Sequence, residues 1–242
     1  MKLISYTKIF TLTFILALLA SWIMGKYFTI NVTQSLIYTH VVLGGAAFLI
    51  GAFALFSKKG SPLHKQTGKL FTISMLASVV LSIIVSILPG HVSPTMFHIG
   101  LLTLYFLIGG KRSLALKNPN PKIIIDKLLS YTIIIVSIMV MSYSVILDGN
   151  LHPLRTVFGT IGIGFGIIDL LLFKQPTTVK SKWLILHLSK MLGGYTAAVT
   201  AFFVAQNILT GYYNWFAPTA IGLAYITFWL IKSKTFRPVL AS

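Results

Sequence analysis

The chain has 242 residues, 56% of them hydrophobic and only 10% charged, with a mean hydropathy of +0.87, where an ordinary soluble domain is about one quarter charged. Twenty Lys and Arg face three acids, Asp126, Asp148 and Asp169, leaving a formal charge of +17. This composition excludes a soluble globular domain, a disordered chain and a nucleic-acid reader on a soluble scaffold, and zero Cys excludes disulfides, thiolate nucleophiles, Cys-ligated zinc, iron–sulfur clusters and covalently attached haem.

A transmembrane helix needs about 20 mostly apolar residues. Eight stretches qualify, at 9–25, 36–56, 70–88, 92–110, 128–147, 156–173, 183–208 and 216–231. They predict an all-α fold, a polytopic transmembrane helical bundle of about eight spans, with 1–242 as a single integral membrane domain. The first stretch has a second reading as a secretory signal peptide, with Lys2 and Lys8 as its charged end. Its apolar run continues through Trp22, Ile23 and Met24 with no small-x-small cleavage site, which favours a retained span.

Basic residues set the orientation, because cytoplasmic loops retain Lys and Arg. With the N-terminus inside, 18 of the 20 lie inside and only Lys26 and Arg155 lie outside. Both termini are therefore expected on the cytoplasmic side of the membrane. The excess charge follows from topology, with the lipid bilayer and its anionic cytoplasmic headgroups as partners and no role for nucleic acid.

In the second span His40 shares a helix face with Gly44, Ala47 and Gly51, which leaves room for a flat group beside the imidazole. His64 falls in the loop 57–69, which is punctuated by Gly60, Pro62 and Gly68. Ser74, Ser78, Ser82 and Ser86 recur every four residues down the third span and read as a packing face. His98 lies just inside the fourth span, and His91 and His152 fall in external loops. Gly162 and Gly166 form a small-xxx-small pair in the sixth span, with Gly159 and Gly164 nearby and Asp169 about one turn from its inner end. The pairs Gly44–Gly45, Gly109–Gly110 and Gly193–Gly194 read as packing positions. In the seventh span His187 is followed on its face by Met191, Gly194 and Ala198, with Lys190 close by. Aromatic residues cluster at span ends, among them Trp183 and the group Tyr212, Tyr213, Trp215 and Phe216.

Two His from different helices of a bundle can ligate haem where small residues admit the porphyrin. His40 with His98 forms an outer candidate pair for a b-type haem, and His64 with His187 an inner one. Alternatively, His64, His187 and Asp169 form an inner transition-metal site with mixed N and O ligands. An ionised Asp169 costs about 3 kcal/mol at a span centre on an insertion scale, so it needs a partner. Lys174, Lys190 or a metal can supply one. Desaturase His boxes, a paired-Asp phosphatidyltransferase motif, and G-x-S-x-G and H-E-x-x-H signatures are all absent.

Three patches carry a resemblance: His40 with Gly44 and Gly45, running into the loop from Ser57 to Lys69; Asp169 in its Gly-rich span; and Trp183, His187, Met191, Gly194, Tyr195, Thr200, Ala201 and Phe202. From the second span to the seventh the chain resembles a family of bacterial predicted multi-pass membrane proteins known only as a domain of unknown function. The resemblance implies an inner-membrane helical bundle, carries no established activity, and places weight on His40, His64, His187 and Asp169. His98 falls outside the matching patches. Three functions are then expected in order: a His-ligated haem or metal redox protein, a small-solute transporter or channel with an inner polar site, and a non-catalytic membrane scaffold.

Overall fold

The first two described helices begin at side-chain caps, Asn31 and Ser61, that lie several residues before the apolar runs. The computed structural model describes residues 31–118, 121–174 and 176–232, and the regular elements among them are all helical. They are α1 (Val32–Phe56), α2 (Pro62–Val85), α3 (Pro94–Arg112), a 3-10 turn (Ser113–Ala115), α4 (Ile124–Asp148), α5 (Pro153–Leu172), α6 (Pro176–Gln206) and α7 (Tyr213–Lys232). The expected first span at 9–25 lies outside the described residues.

At α1 the Asn31 side chain accepts from the Gln34 N–H at 2.9 Å, while the Asn31 N–H donates to the Gln34 side chain, forming a capping box. At α2 the cap is Ser61, which accepts from the His64 N–H, with Pro62 opening the helix. His64 therefore lies in the first turn of α2, which corrects its expected loop position and shortens the loop 57–69. Hydropathy ended the span at Lys65 and Lys69, whereas the Ser-Pro pair starts the helix eight residues before 70.

Six of the seven helices are long and apolar enough to cross a membrane. The seventh, α3, has 19 residues and carries His98, Lys111 and Arg112, which lower its mean hydropathy. The distribution of side chains agrees with a membrane solvent. On α4, Ile135, Ile138, Met139, Val145 and Ile146 face outward, while Ser130, Ser137 and Ser144 are fully buried. Water would not accept that outward face over several helices, and lipid does. The chain thus has the architecture of a multi-pass membrane protein.

The chain divides into two units, Met1–Ser93 and Pro94–Ser242. In the first, α1 packs along α2 as a helical hairpin. Gly44 admits Ser78 so closely that a Cβ there would stand 3.1 Å from the Ser78 hydroxyl. Of the four serines expected to form a packing face, Ser74 and Ser78 are buried on the helix, Ser86 is buried just past its end and Ser82 is half-buried, and Ser78 is the one that meets α1. Lys59 donates to the carbonyls of Ala54 and Leu55, closing the C-terminal end of α1.

In the second unit α4 packs on α5, α3 on α6 and α4, and α6 on α7. An apolar core of Leu102, Phe106, Ile133, Leu154 and Phe158 fills the centre, with Trp215 edge-on to Phe158. A second cluster of Leu116, Leu172, Phe173, Val179 and Leu186 receives Trp183. Gly149 ends α4 with φ +69 and nothing near its missing Cβ. Gly149→Ala is expected to cost about 1 kcal/mol through the left-handed backbone alone, read as a lower unfolding temperature in detergent with no change in function.

Candidate functional site

The second unit buries one ion pair. Asp169, on the last turn of α5, and Lys190, on α6, are each only 3% exposed. Lys190 Nζ donates to Asp169 Oδ2 at 2.5 Å, the Tyr105 hydroxyl of α3 donates to the same oxygen at 2.6 Å, and Ser130 Oγ of α4 lies 3.3 Å from it. The ammonium also stands 3.7 Å from the centroid of the Tyr105 ring, a cation–π contact strengthened by exclusion of water. Four helices thus converge on one carboxylate oxygen. Of the partners expected for Asp169, the structure supplies Lys190.

Glycines create the space for this cluster. A Cβ at Gly109 would stand 2.8 Å from Lys190 Cδ, and one at Gly110 would stand 2.8 Å from Met191 Sδ. On the facing helix, Gly193 and Gly194 receive Phe106 and Leu107 in the same way, at 3.0 and 2.8 Å. The two glycine pairs are reciprocal, and they let α3 and α6 approach until the Lys190 stem lies against backbone. Beside the pair lies a cavity of about 10 Å3 bordered by Tyr105, Ser113, Asp126, Leu129, Asp169 and Lys190, room for about one water. Asp126 is itself held by Arg112 in a two-point contact, Nε to Oδ1 at 3.0 Å and Nη2 to Oδ2 at 2.7 Å. Arg112 is the more exposed partner, so this second pair marks where the site nears the helix ends.

Serines on α4 organise polar groups at three depths, spaced by seven residues or about 10 Å. Ser130 serves Asp169. Two turns along, Ser137 Oγ and His98 Nε2 share a hydrogen bond of 2.9 Å, and both side chains are buried. Two turns further, Ser144 Oγ accepts from the His152 N–H at 3.0 Å and from Arg155 at 3.3 Å, while Arg155 Nε donates to Thr95 at 3.1 Å. His152 Nδ1 is the buried side-chain atom left without a partner among the described residues. Between the first two depths lie Leu102 and Ile133, 4% and 2% exposed, in the apolar core.

The other candidate histidines also bond across elements. His40 Nδ1 donates to the Ser78 carbonyl at 2.9 Å, and Ser78 Oγ donates back to the His40 carbonyl. His64 Nδ1 donates to the Ala54 carbonyl at 2.9 Å. His187 Nδ1 donates to the Gly110 carbonyl at 2.7 Å, beside the glycine seam. His40 and His64 belong to the first unit and His98 and His187 to the second. Among the described residues, no three His, Cys, Asp or Glu gather to hold a metal ion.

Sequence reasoning missed Tyr105, Ser130 and the Arg112–Asp126 pair. Spacing held a signal for one of them, since Ser130, Ser137 and Ser144 repeat every seven residues, the period that keeps one helix face against a neighbour. Tyr105 had no such signal in an aromatic-rich span. No protein-family model, curated protein or solved structure matches this chain.

Proposed function

We propose that this chain is a multi-pass protein of a bacterial inner membrane, with about eight spans and both termini cytoplasmic, that carries an ion-sized solute through an inner polar site at Asp169 and Lys190. One observation carries the reading: an ion pair 3% exposed on each side, inside a helical bundle, next to a water-sized cavity. Ionisable groups at membrane depth are costly and occur where ions or protons are handled. Membership of the family of unknown function named above, and contact of the basic loops with anionic headgroups, belong to the same proposal.

The test is reconstitution of the full chain in phosphatidylethanolamine–phosphatidylglycerol vesicles, with imposed proton, sodium and potassium gradients read by dyes. At least one gradient should collapse faster than in protein-free vesicles, and Asp169→Asn should return it to that background. Equal rates for wild type and protein-free vesicles in all three gradients overturn the reading.

A second reading, a His-ligated b-type haem or metal protein, has its own supporting observation. His40, His64 and His187 each give their Nδ1 proton to a backbone carbonyl, the arrangement that fixes a ring for ligation through Nε2. An absorption spectrum of purified protein, oxidised and then dithionite-reduced, decides it. Stoichiometric reduced-state haem bands, lost in His40→Ala or His187→Ala, carry this reading; a flat spectrum without metal on elemental analysis removes it.

A further inference from the structure

We infer that the species exchanged at the Asp169–Lys190 site is the proton, and that it reaches the site from one end only, past Asp126 and Arg112. This rests on the reading of that ion pair as the working site and adds the identity and route of the occupant.

The chemistry of the cluster decides the identity. Asp169 Oδ2 already receives Lys190 and Tyr105, with Ser130 Oγ 3.3 Å away. A metal cation entering here would meet the Lys190 ammonium already 2.5 Å from Asp169 Oδ2, and an anion would have to displace that carboxylate. The cavity of about 10 Å3 has room for about one water. A proton needs no further volume. In the uptake step a hydronium in the cavity gives its proton to Asp169 and remains as water, so the pair passes from carboxylate and ammonium to carboxylic acid and ammonium. Release reverses the transfer, with no other reactant. The charged or titratable groups facing Asp169 are Tyr105 from α3, Lys190 from α6 and, across the cavity, Asp126 from α4 with its partner Arg112.

Packing decides the route. The cavity touches both Asp169 and Asp126, and Asp126 is bound to the partly exposed Arg112 at the end of α3. In the opposite direction Leu102 and Ile133, with Phe165 packed against their cluster, lie between this site and the His98–Ser137 contact. Water and protons do not cross a close-packed apolar layer of this kind without its opening. In this conformation the site is therefore a half-channel that faces Asp126 and Arg112 and is sealed toward His98, and net carriage requires the apolar layer to open.

The chain has no Cys, so each engineered Cys is a unique reporter. Silver ion, close to water in size, is applied to sealed vesicles of either orientation holding the full chain with Ser113→Cys, Leu129→Cys or Ser137→Cys. Maleimide labelling after denaturation then reads which thiols silver had blocked. Ser113→Cys and Leu129→Cys should be blocked from the side bearing Arg112 and spared from the other, and Ser137→Cys should be spared from both. Leu129→Cys keeps the test open if Ser113→Cys does not fold. Block from the His98 side, or equal block from both sides, overturns the route. In the gradient assay, proton flux lost with Asp169→Asn supports the identity. Sodium or potassium flux without proton flux overturns the identity and leaves the carrier reading standing, whereas no flux of any ion overturns the carrier reading and the inference resting on it.

Discussion

Replacing Lys190 with Met is expected to destabilise the bundle by about 3–5 kcal/mol, because it leaves the Asp169 charge buried without its counter-ion. Tyr105 would still donate to Oδ2, while the single Ser130 proton is shared between Oδ2 at 3.3 Å and the Asp126 carbonyl at 3.0 Å, and such neutral hydrogen bonds do not replace a desolvated cation. Asp169→Leu is expected to cost a similar amount by stranding the ammonium over the Tyr105 ring. The double variant Asp169→Leu/Lys190→Met should recover most of the loss, since apolar side chains of like volume remove both desolvation penalties together. Thermal unfolding of the three variants in one detergent reads the cycle. A double variant no more stable than the weaker single variant would show that the pair is not coupled, contrary to the 2.5 Å contact.

The second large effect is expected at Gly162. A Cβ there would stand 2.3 Å from Ser137 Oγ and 3.3 Å from Ile133 Cγ1. Ser137 has little freedom to turn away, because it is fully buried and bonded to His98. Gly162→Ala should therefore push α5 from α4 or break the His98 contact, at a cost of about 1–3 kcal/mol. Gly164, two residues along the same helix, has nothing within 4 Å of its missing Cβ. Gly164→Ala should be neutral or slightly stabilising, since Ala is the better helix former. Unfolding temperatures of the two variants make the comparison, and equal shifts would contradict the packing described here. The same logic applies at Gly109, where a methyl group would press on the Lys190 stem and so disturb the ion pair as well as the helix contact.

Depth along a span was legible in the sequence, and direction around a helix was not. The position of Asp169 one turn from the end of its helix followed from counting residues, and the structure places it three residues before Leu172. Which cation it meets depends on the angle between α5 and α6, which no spacing encodes. Lys174 and Lys190 were equal candidates until the fold turned Lys190 inward. Tyr105 stayed hidden for the same reason, since its span holds many residues of similar hydropathy and only the contact with α6 selects its face. His64 was misplaced because an apolar window measures where lipid-soluble residues begin, whereas the helix begins at Ser61, whose side chain closes its first turn.

Composition and charge by themselves determined that the chain is helical and apolar enough for several membrane crossings, because in hydrocarbon each backbone polar group must be satisfied within its own segment. They also bounded the chemistry, since a chain with three acids and no Cys has few groups able to hold a proton or a metal. Tertiary structure alone decided which of those groups meet. Reciprocal glycine pairs bring α3 and α6 close enough for Lys190 to reach Asp169, a serine face on α4 supplies one hydroxyl at each of three depths, and an apolar layer separates the first depth from the second. Those relations exist between helices, and the local sequence of any single helix specifies only its own half of each.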